Sequence, residues 1–307
     1  MNTNIHSKEF KERFLKVLEG IDSNALYFSG GMDSTTILFG LLELGRKPHL
    51  VSFKQKDVSS KDNDIGTAIA KHYNLKRDLI ETRSDTEGIL EDVENIIPLL
   101  KYPLKVHIQC CIPFMYMAKR LHEQGHTSAF VGINAGDIMG LSRKAQVLFH
   151  KHGDEALNKY RIKSIYETPN ISDYDIWKVS EHFGVKVIDP FRDKPKLIEG
   201  SFCDWMMKIP HKELHWERPK SIFYYAFLNY WKEEWLNIGN MQIVSGLRET
   251  HDEVLGKSTD DNRGTMYQDE GIEICDYYPP YEEKSSGNIW TAHKEKHLVR
   301  SNGVMDF

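Results

Sequence analysis

Ser29-Gly30-Gly31-Met32-Asp33-Ser34-Thr35 follows the apolar stretch Ala25-Leu26-Tyr27-Phe28 and precedes an apolar run over residues 37–44. This is the order of a buried strand, a glycine loop and a helix. Adjacent glycines let backbone N–H groups turn inward with no Cβ in the way, and the N-terminus of the next helix adds partial positive charge. Ser29, Ser34 and Thr35 add hydroxyls. Such a loop suits a pyrophosphate group, and the carboxylate of Asp33 suits it only if a cation, Mg²⁺, lies between carboxylate and phosphate oxygens. A plain Gly-Gly turn with Asp33 and Ser34 capping the helix is the competing reading.

The surrounding pattern favours an α/β protein. A helix is expected over 9–18, where Phe10, Phe14, Leu15 and Leu18 recur at helical spacing before Gly20. Strands are expected at 25–28, 48–53, 79–81 and 128–133, separated by helices over 35–44, 64–73 and 113–124. This alternation predicts a parallel sheet with helices on both faces, ligands being held at the carboxyl ends of its strands. Asn134-Ala135-Gly136-Asp137 then arrives at the same end of the sheet as the glycine loop. Beyond residue 141 the pattern turns mainly helical, with helices expected over 173–183, 197–207 and the aromatic-rich 221–235. His150 and His152 read as a solvated loop. From 239 onward the chain is polar and broken by Gly and Pro.

Composition narrows the classes. Hydrophobic residues make up 40% of 307, enough for a large core, and the net charge of −5 carries no basic tract that reads as a nucleic-acid footprint. No run approaches the roughly 20 apolar residues of a membrane span, and Met1-Asn2-Thr3-Asn4-Ile5-His6 has no basic-then-apolar signal. A cytoplasmic location is therefore expected. Cys110 and Cys111 are neighbours, Cys203 and Cys275 are isolated, and no zinc-type spacing arises.

The glycine loop lacks the Lys of a Walker loop. It resembles the SGGxDS signature of the ATP pyrophosphatase (PP-loop) superfamily, whose members split ATP into AMP and pyrophosphate while adenylating a substrate. Over residues 25–228 the chain further resembles the synthetase half of the asparagine synthetase and β-lactam synthetase family. Leu50-Val51-Ser52-Phe53 is similar to that family's second strand, and Gly132-Ile133-Asn134-Ala135-Gly136-Asp137 to its second acidic loop, with Ile138 where the family has a glutamate. Gly184-Val185-Lys186-Val187-Ile188-Asp189-Pro190-Phe191 is similar to its G-x-E-x-R-x-P-F element, with Lys186 and Ile188 at the acidic and basic positions. Lys220 falls where the family places a lysine on the phosphates; a first-turn surface residue is the alternative.

The resemblance implies an adenine nucleotide α-hydrolase-like fold binding ATP and Mg²⁺. Residues 1–23 form an N-terminal helix, 24–238 the ATP pyrophosphatase, asparagine synthetase-like domain, and 239–307 an irregular extension. It implies nucleotide contacts from Ser29, Gly30, Gly31, Asp33, Ser34, Thr35, Ser52, Phe53 and Gly132, metal contacts from Asp33 and Asp137, and catalytic roles for Asp33 and Lys220. The activity implied is adenylation of a small-molecule carboxylate and its transfer to an amine donor or ammonia. No glutaminase domain precedes Ala25, so a separate glutaminase or carrier is the expected source of nitrogen. Lys186 points to an acceptor pocket unlike that for aspartate. Two alternatives stay open: a sulfonucleotide reductase-like or tRNA-modifying member of the superfamily, to whose reductases Ile171-Ser172-Asp173-Tyr174-Asp175-Ile176-Trp177 is similar, and a non-catalytic nucleotide-binding or assembly protein.

Overall fold

Side chains on a strand alternate between two faces, and here both faces are apolar. Along β1 (Ala25–Tyr27) and the residue after it, Leu26 and Phe28 enter one hydrophobic cluster while Ala25 and Tyr27 enter another. Leu50 and Val51 of β2 (His49–Gln55), and Phe130 and Ala129 of β4 (Ser128–Phe130), divide in the same way. A sheet buried on both faces has to be covered by helices on both sides. The computed structural model describes residues 5–55, 60–100, 105–167, 171–192, 194, 196–216 and 219–236, and shows this arrangement.

In chain order the helices and strands are α1 (Ile5–Glu19), β1, α2 (Met32–Glu43), β2, α3 (Lys61–His72), β3 (Arg77–Thr82), α4 (Thr86–Ile96), α5 (Lys105–Glu123) and β4. Then follow α6 (Ala135–Ile138), α7 (Arg143–Ile162), α8 (Ile171–His182), β5 (Lys186–Ile188), α9 (Phe202–Lys208), α10 (His211–Leu214) and α11 (Ser221–Ala226). Among the described residues the strands form one parallel sheet in the order β3-β2-β1-β4-β5. From β1 the chain steps outward to β2 and β3, then returns to place β4 and β5 on the other side. The reversal opens a crevice at the carboxyl ends of β1 and β4. The glycine loop leaves β1 there, and the Asp137 loop leaves β4.

One face is covered by α4, α5 and α8, which supply Val93, Met115 and Val179. The other carries α1, α2, α3 and the helices after β5 in a single cluster that includes Phe10, Phe14, Phe191, Phe202 and Phe223. The guanidinium of Arg161, fully buried on α7, donates to the Met206 carbonyl at 3.0 Å and so fastens α7 to the end of α9. The mainly helical C-terminal part thus packs on the sheet through the same core as α1.

Several elements differ from the expectations. α5 begins before Pro113, which sits inside it; proline forfeits one backbone hydrogen bond, and burial of Ile108, Cys111 and Ile112 on this segment holds the helix through it. The aromatic segment is not one helix: α11 stops at Ala226 and two short 3-10 turns follow, Leu228–Tyr230 and Glu233–Trp235. The helix expected over 197–207 starts only at Phe202, where the Ser201 hydroxyl accepts from the Asp204 N–H. His150 and His152 lie on α7, exposed, not on a loop. The extension over 239–307, and Cys275 with it, lies outside the described residues.

Candidate nucleotide and metal site

The glycine loop is held in shape by its own hydroxyls. The Ser29 and Ser34 hydroxyls lie 3.0 Å apart, the Ser34 hydroxyl donates to the Gly31 carbonyl at 3.2 Å, and the Gly31 N–H donates to the Ser29 hydroxyl at 3.1 Å. Thr35 is fully buried and donates to the Gly30 carbonyl at 3.3 Å. Ser34 and Thr35 therefore brace the loop from below, while Ser29 is exposed at its rim. Gly30 has φ +83°, and a Cβ there would lie 2.2 Å from the Asp62 carbonyl oxygen of α3. Only glycine fits that position. Gly31 caps α2, so the loop sits on the N-terminus of a buried helix.

The second loop closes against the first at Gly132. A Cβ on Gly132 would come within 3.1 Å of the Asp33 Cβ and of the Ser34 nitrogen. The short helix α6 then carries Asp137, a half-buried carboxylate. Burial raises its pKa to about 6, against the opposing pull of the Lys220 charge. Beside it at the end of β5, the buried Asp189 accepts from the Asn134 amide at 2.6 Å and from the Phe191 N–H at 2.9 Å. Burial raises that carboxyl to about 6 as well, the hydrogen bonds working in the opposite direction.

Lys220 completes the group. Its ammonium contacts both carboxylate oxygens of Asp33, at 2.5 and 2.6 Å, across 187 positions of sequence. Its side chain is 13% exposed and that of Asp33 29%, so the pair stands at the mouth of the crevice. The structure brings together Ser29, Gly30, Gly31, Asp33, Ser34, Thr35, Gly132, Asp137 and Lys220. Ser52 and Phe53 on β2 have internal partners. The Ser52 hydroxyl donates to the Phe28 carbonyl and accepts from Arg77 at 2.9 Å, and the Phe53 carbonyl accepts from the Asn63 amide at 3.1 Å.

Lys186 is not part of this assembly. It is the first residue of β5, exposed and paired with Ser128 at the amino end of β4, whereas the loops leave the carboxyl ends. A strand rises about 3.3 Å per residue, and the side chain points to solvent at the far edge. The altered acceptor pocket inferred from Lys186 is thereby corrected. Asp189, two residues beyond the end of Lys186-Val187, occupies the site end of the same strand. Sequence reasoning missed its role, although its place after a short apolar strand matched that of the two loops. It also missed His215, whose ring bonds to the backbone of Met139 and of Lys220 at 2.9 Å each.

The donor set fits a hard divalent cation with a polyphosphate. The Asp33 carboxylate pairs with the Lys220 ammonium and Asp137 lies within reach of the same charge, and Mg²⁺ takes one or two carboxylates together with phosphate oxygens and water. Among the described residues no group of three or more His, Cys, Asp or Glu assembles into a self-sufficient metal cage. The remaining ligands would have to come from the nucleotide.

Comparison with known proteins agrees on the superfamily. Residues 24–140 match the family profile of QueC, "Queuosine biosynthesis protein QueC". A "7-cyano-7-deazaguanine synthase" of Thermoplasma acidophilum is 31% identical over 126 residues, 36% of this chain; the match spans about half (51%) of that protein's length. Among solved structures, "U34-tRNA thiolase NcsA from Methanococcus maripaludis with its [4Fe-4S] cluster" aligns over 98% of this chain and 91% of its own, at 15% identity and a TM-score of 0.30, a likeness too slight to argue from. The matched segment contains both loops, from Ser29 to Asp137, and stops before Asp189 and Lys220. The matches support the ATP pyrophosphatase superfamily for this part of the chain and favour the tRNA-modifying alternative over the asparagine synthetase resemblance.

Proposed function

We propose that the chain is an ATP-dependent, AMP- and pyrophosphate-forming enzyme that activates an oxygen atom on a nucleobase-type substrate by adenylation, so that a nitrogen nucleophile can displace it. The observation that carries this reading is the contact of Lys220 with Asp33 at the mouth of the crevice. It puts one cation and one metal-type carboxylate at the glycine loop, with the Asp137 carboxylate near enough to feel the Lys220 charge. The match to a cyano-deazaguanine synthase supports the substrate class. A cyano group is a dehydrated amide, and removing an oxygen from carbon in water requires converting it into a leaving group, which adenylation does. The carboxylate-plus-amine chemistry expected from the sequence is thereby kept, while the acceptor changes.

In this reading the N-terminus of α2 and the rim of the glycine loop bind the β- and γ-phosphates. Asp33 and Asp137 would hold Mg²⁺, which would supply positive charge for the pyrophosphate leaving group. Lys220 moves from Asp33 to the phosphate oxygens and balances the charge that develops there. Asn134 and Asp189 keep the second loop fixed to the end of β5. Phosphoryl-type transfer depends on placement and charge more than on covalent help, so this short set suffices.

The test is an acceptor screen. The purified chain, with Mg²⁺ and ATP, is offered heteroaromatic carboxylates with ammonium, aspartate with ammonium, and unmodified tRNA. The reading expects pyrophosphate release stimulated by a heteroaromatic carboxylate. Stimulation by aspartate alone refutes the substrate class, and stimulation by tRNA alone moves the activity to the intact nucleic acid.

A further inference from the structure

His215 stands between the Asp137 loop and the turn that carries Lys220, and its ring meets the backbone of both. Its Nδ1 accepts the backbone N–H of Lys220 at 2.9 Å, and its Nε2 lies 2.9 Å from the carbonyl oxygen of Met139. A ring nitrogen that accepts an N–H carries no proton, and a carbonyl can only accept. The imidazole is therefore the neutral Nε2–H tautomer, with one acceptor and one donor both engaged. Burial, followed by the neighbouring charge of His211, lowers its pKa to about 3, in keeping with a ring that stays neutral.

Both partners of the ring matter for geometry. Lys220 has φ 60° and ψ 34°, a left-handed conformation that a residue with a Cβ adopts only when its surroundings impose it. This backbone turn aims the side chain back from the start of α11 to Asp33. Met139 lies two residues after Asp137, and its own N–H donates to the Ala135 carbonyl, closing the helical turn that carries Asp137. One imidazole thus spans from the turn of the second loop to the turn of the lysine.

We infer that His215 is a positioning residue that sets the Lys220 turn against the Asp137 loop, so that ammonium and carboxylates act as one unit on the bound nucleotide. This rests on the nucleotide role proposed above. It assigns a task to a residue outside the segment that matches the family profile.

The test is a double-mutant cycle on the full chain, read as the dissociation constant for ATP with saturating Mg²⁺ by titration calorimetry. Lys220→Ala is expected to weaken binding about tenfold, and His215→Ala by a similar factor, while His215→Ala in the Lys220→Ala background adds less than about twofold. His215→Gln, whose amide offers one acceptor and one donor side by side, is expected to stay within about threefold of the wild type. If His215→Ala does not fold, His215→Asn takes its place in the cycle. Equal losses in both backgrounds, or wild-type affinity in His215→Ala (or His215→Asn in its place), overturn the inference while leaving the nucleotide site intact. A wild-type chain that does not bind ATP with Mg²⁺ overturns the functional reading itself and the inference with it.

Discussion

Asp137 shows how function and stability pull apart at a single residue. Its carboxyl is half-buried and its nearest charge, that of Lys220, is shared with Asp33. With its pKa raised to about 6, the folded protein binds the proton more tightly than the unfolded chain does. The ionised carboxylate therefore penalises the fold above about pH 6, and the penalty disappears as pH falls into the ordinary carboxylate range. Asp137→Asn removes the charge with little change of shape. In chelator at about pH 8 its Tm is expected above that of the wild type, with the gap closing toward about pH 4, while Mg²⁺-dependent ATP cleavage falls by about 100-fold. A Tm below wild type at alkaline pH contradicts this account of the buried charge. The placement of Asp33 and Asp137 after β1 and β4 was legible in the sequence because each follows a short apolar strand within a local pattern. The grip of Lys220 on Asp33 and the bridge made by His215 were not, because the first joins positions 187 apart and the second positions 76 apart.

At the scale of elements, the two loops work because glycine stands where they touch their neighbours. Gly30 lies under the start of α3 with φ +83°, and an added Cβ meets backbone that cannot swing aside. Gly30→Ala is expected to destabilise the fold by about 2 kcal/mol or more, measured by urea unfolding. Gly132→Ala meets the Asp33 Cβ and the backbone of Asp33 and Ser34 at 3.1 Å, a milder overlap than the 2.2 Å at Gly30 and without a positive φ; it should cost less stability and act mainly by displacing the Asp33 carboxylate and weakening nucleotide binding. If the two substitutions prove equally destabilising, the close packing of loop one on α3 is not what fixes its shape. Four of the five strands and the first helices were readable from alternation and caps; β5 (Lys186–Ile188) was not expected as a strand. α4 was overlooked although Asp85 caps it and Ile89, Val93 and Ile96 share its buried face. The broken aromatic segment was unreadable for the opposite reason. Its rings look alike along the sequence, and only tertiary contacts, such as the Tyr73 hydroxyl on the Tyr230 carbonyl at 2.6 Å, decide where the helix ends.

Across the whole molecule, the crevice depends on a core that joins both ends of the described chain. Phe14 of α1 lies 5.0 Å from the ring of Phe191, just past β5, and 5.5 Å from that of Phe202 on α9; Phe10 lies 4.9 Å from that of Phe223 on α11. α1 is therefore built into the same core as the sheet. Phe14→Ala is expected to lower stability by about 3–5 kcal/mol, and if the unfolding midpoint barely moves, α1 is only loosely attached. Fold class followed from the strand–helix alternation, while the strand order β3-β2-β1-β4-β5 came only with the structure. The branch of the superfamily did not follow from the sequence, because the glycine-loop signature over residues 29–35 is common to the superfamily and does not distinguish its branches. The central claim is that this crevice splits ATP between its α- and β-phosphates through Asp33. ATP labelled at the α-phosphate, incubated with Mg²⁺, acceptor and either the wild-type chain or Asp33→Asn, tests it most directly. The account predicts labelled AMP or an adenylate from the wild type, no labelled ADP, and a loss of about 100-fold in the variant. Labelled ADP as the main product, or undiminished AMP from a folded Asp33→Asn protein, would contradict it.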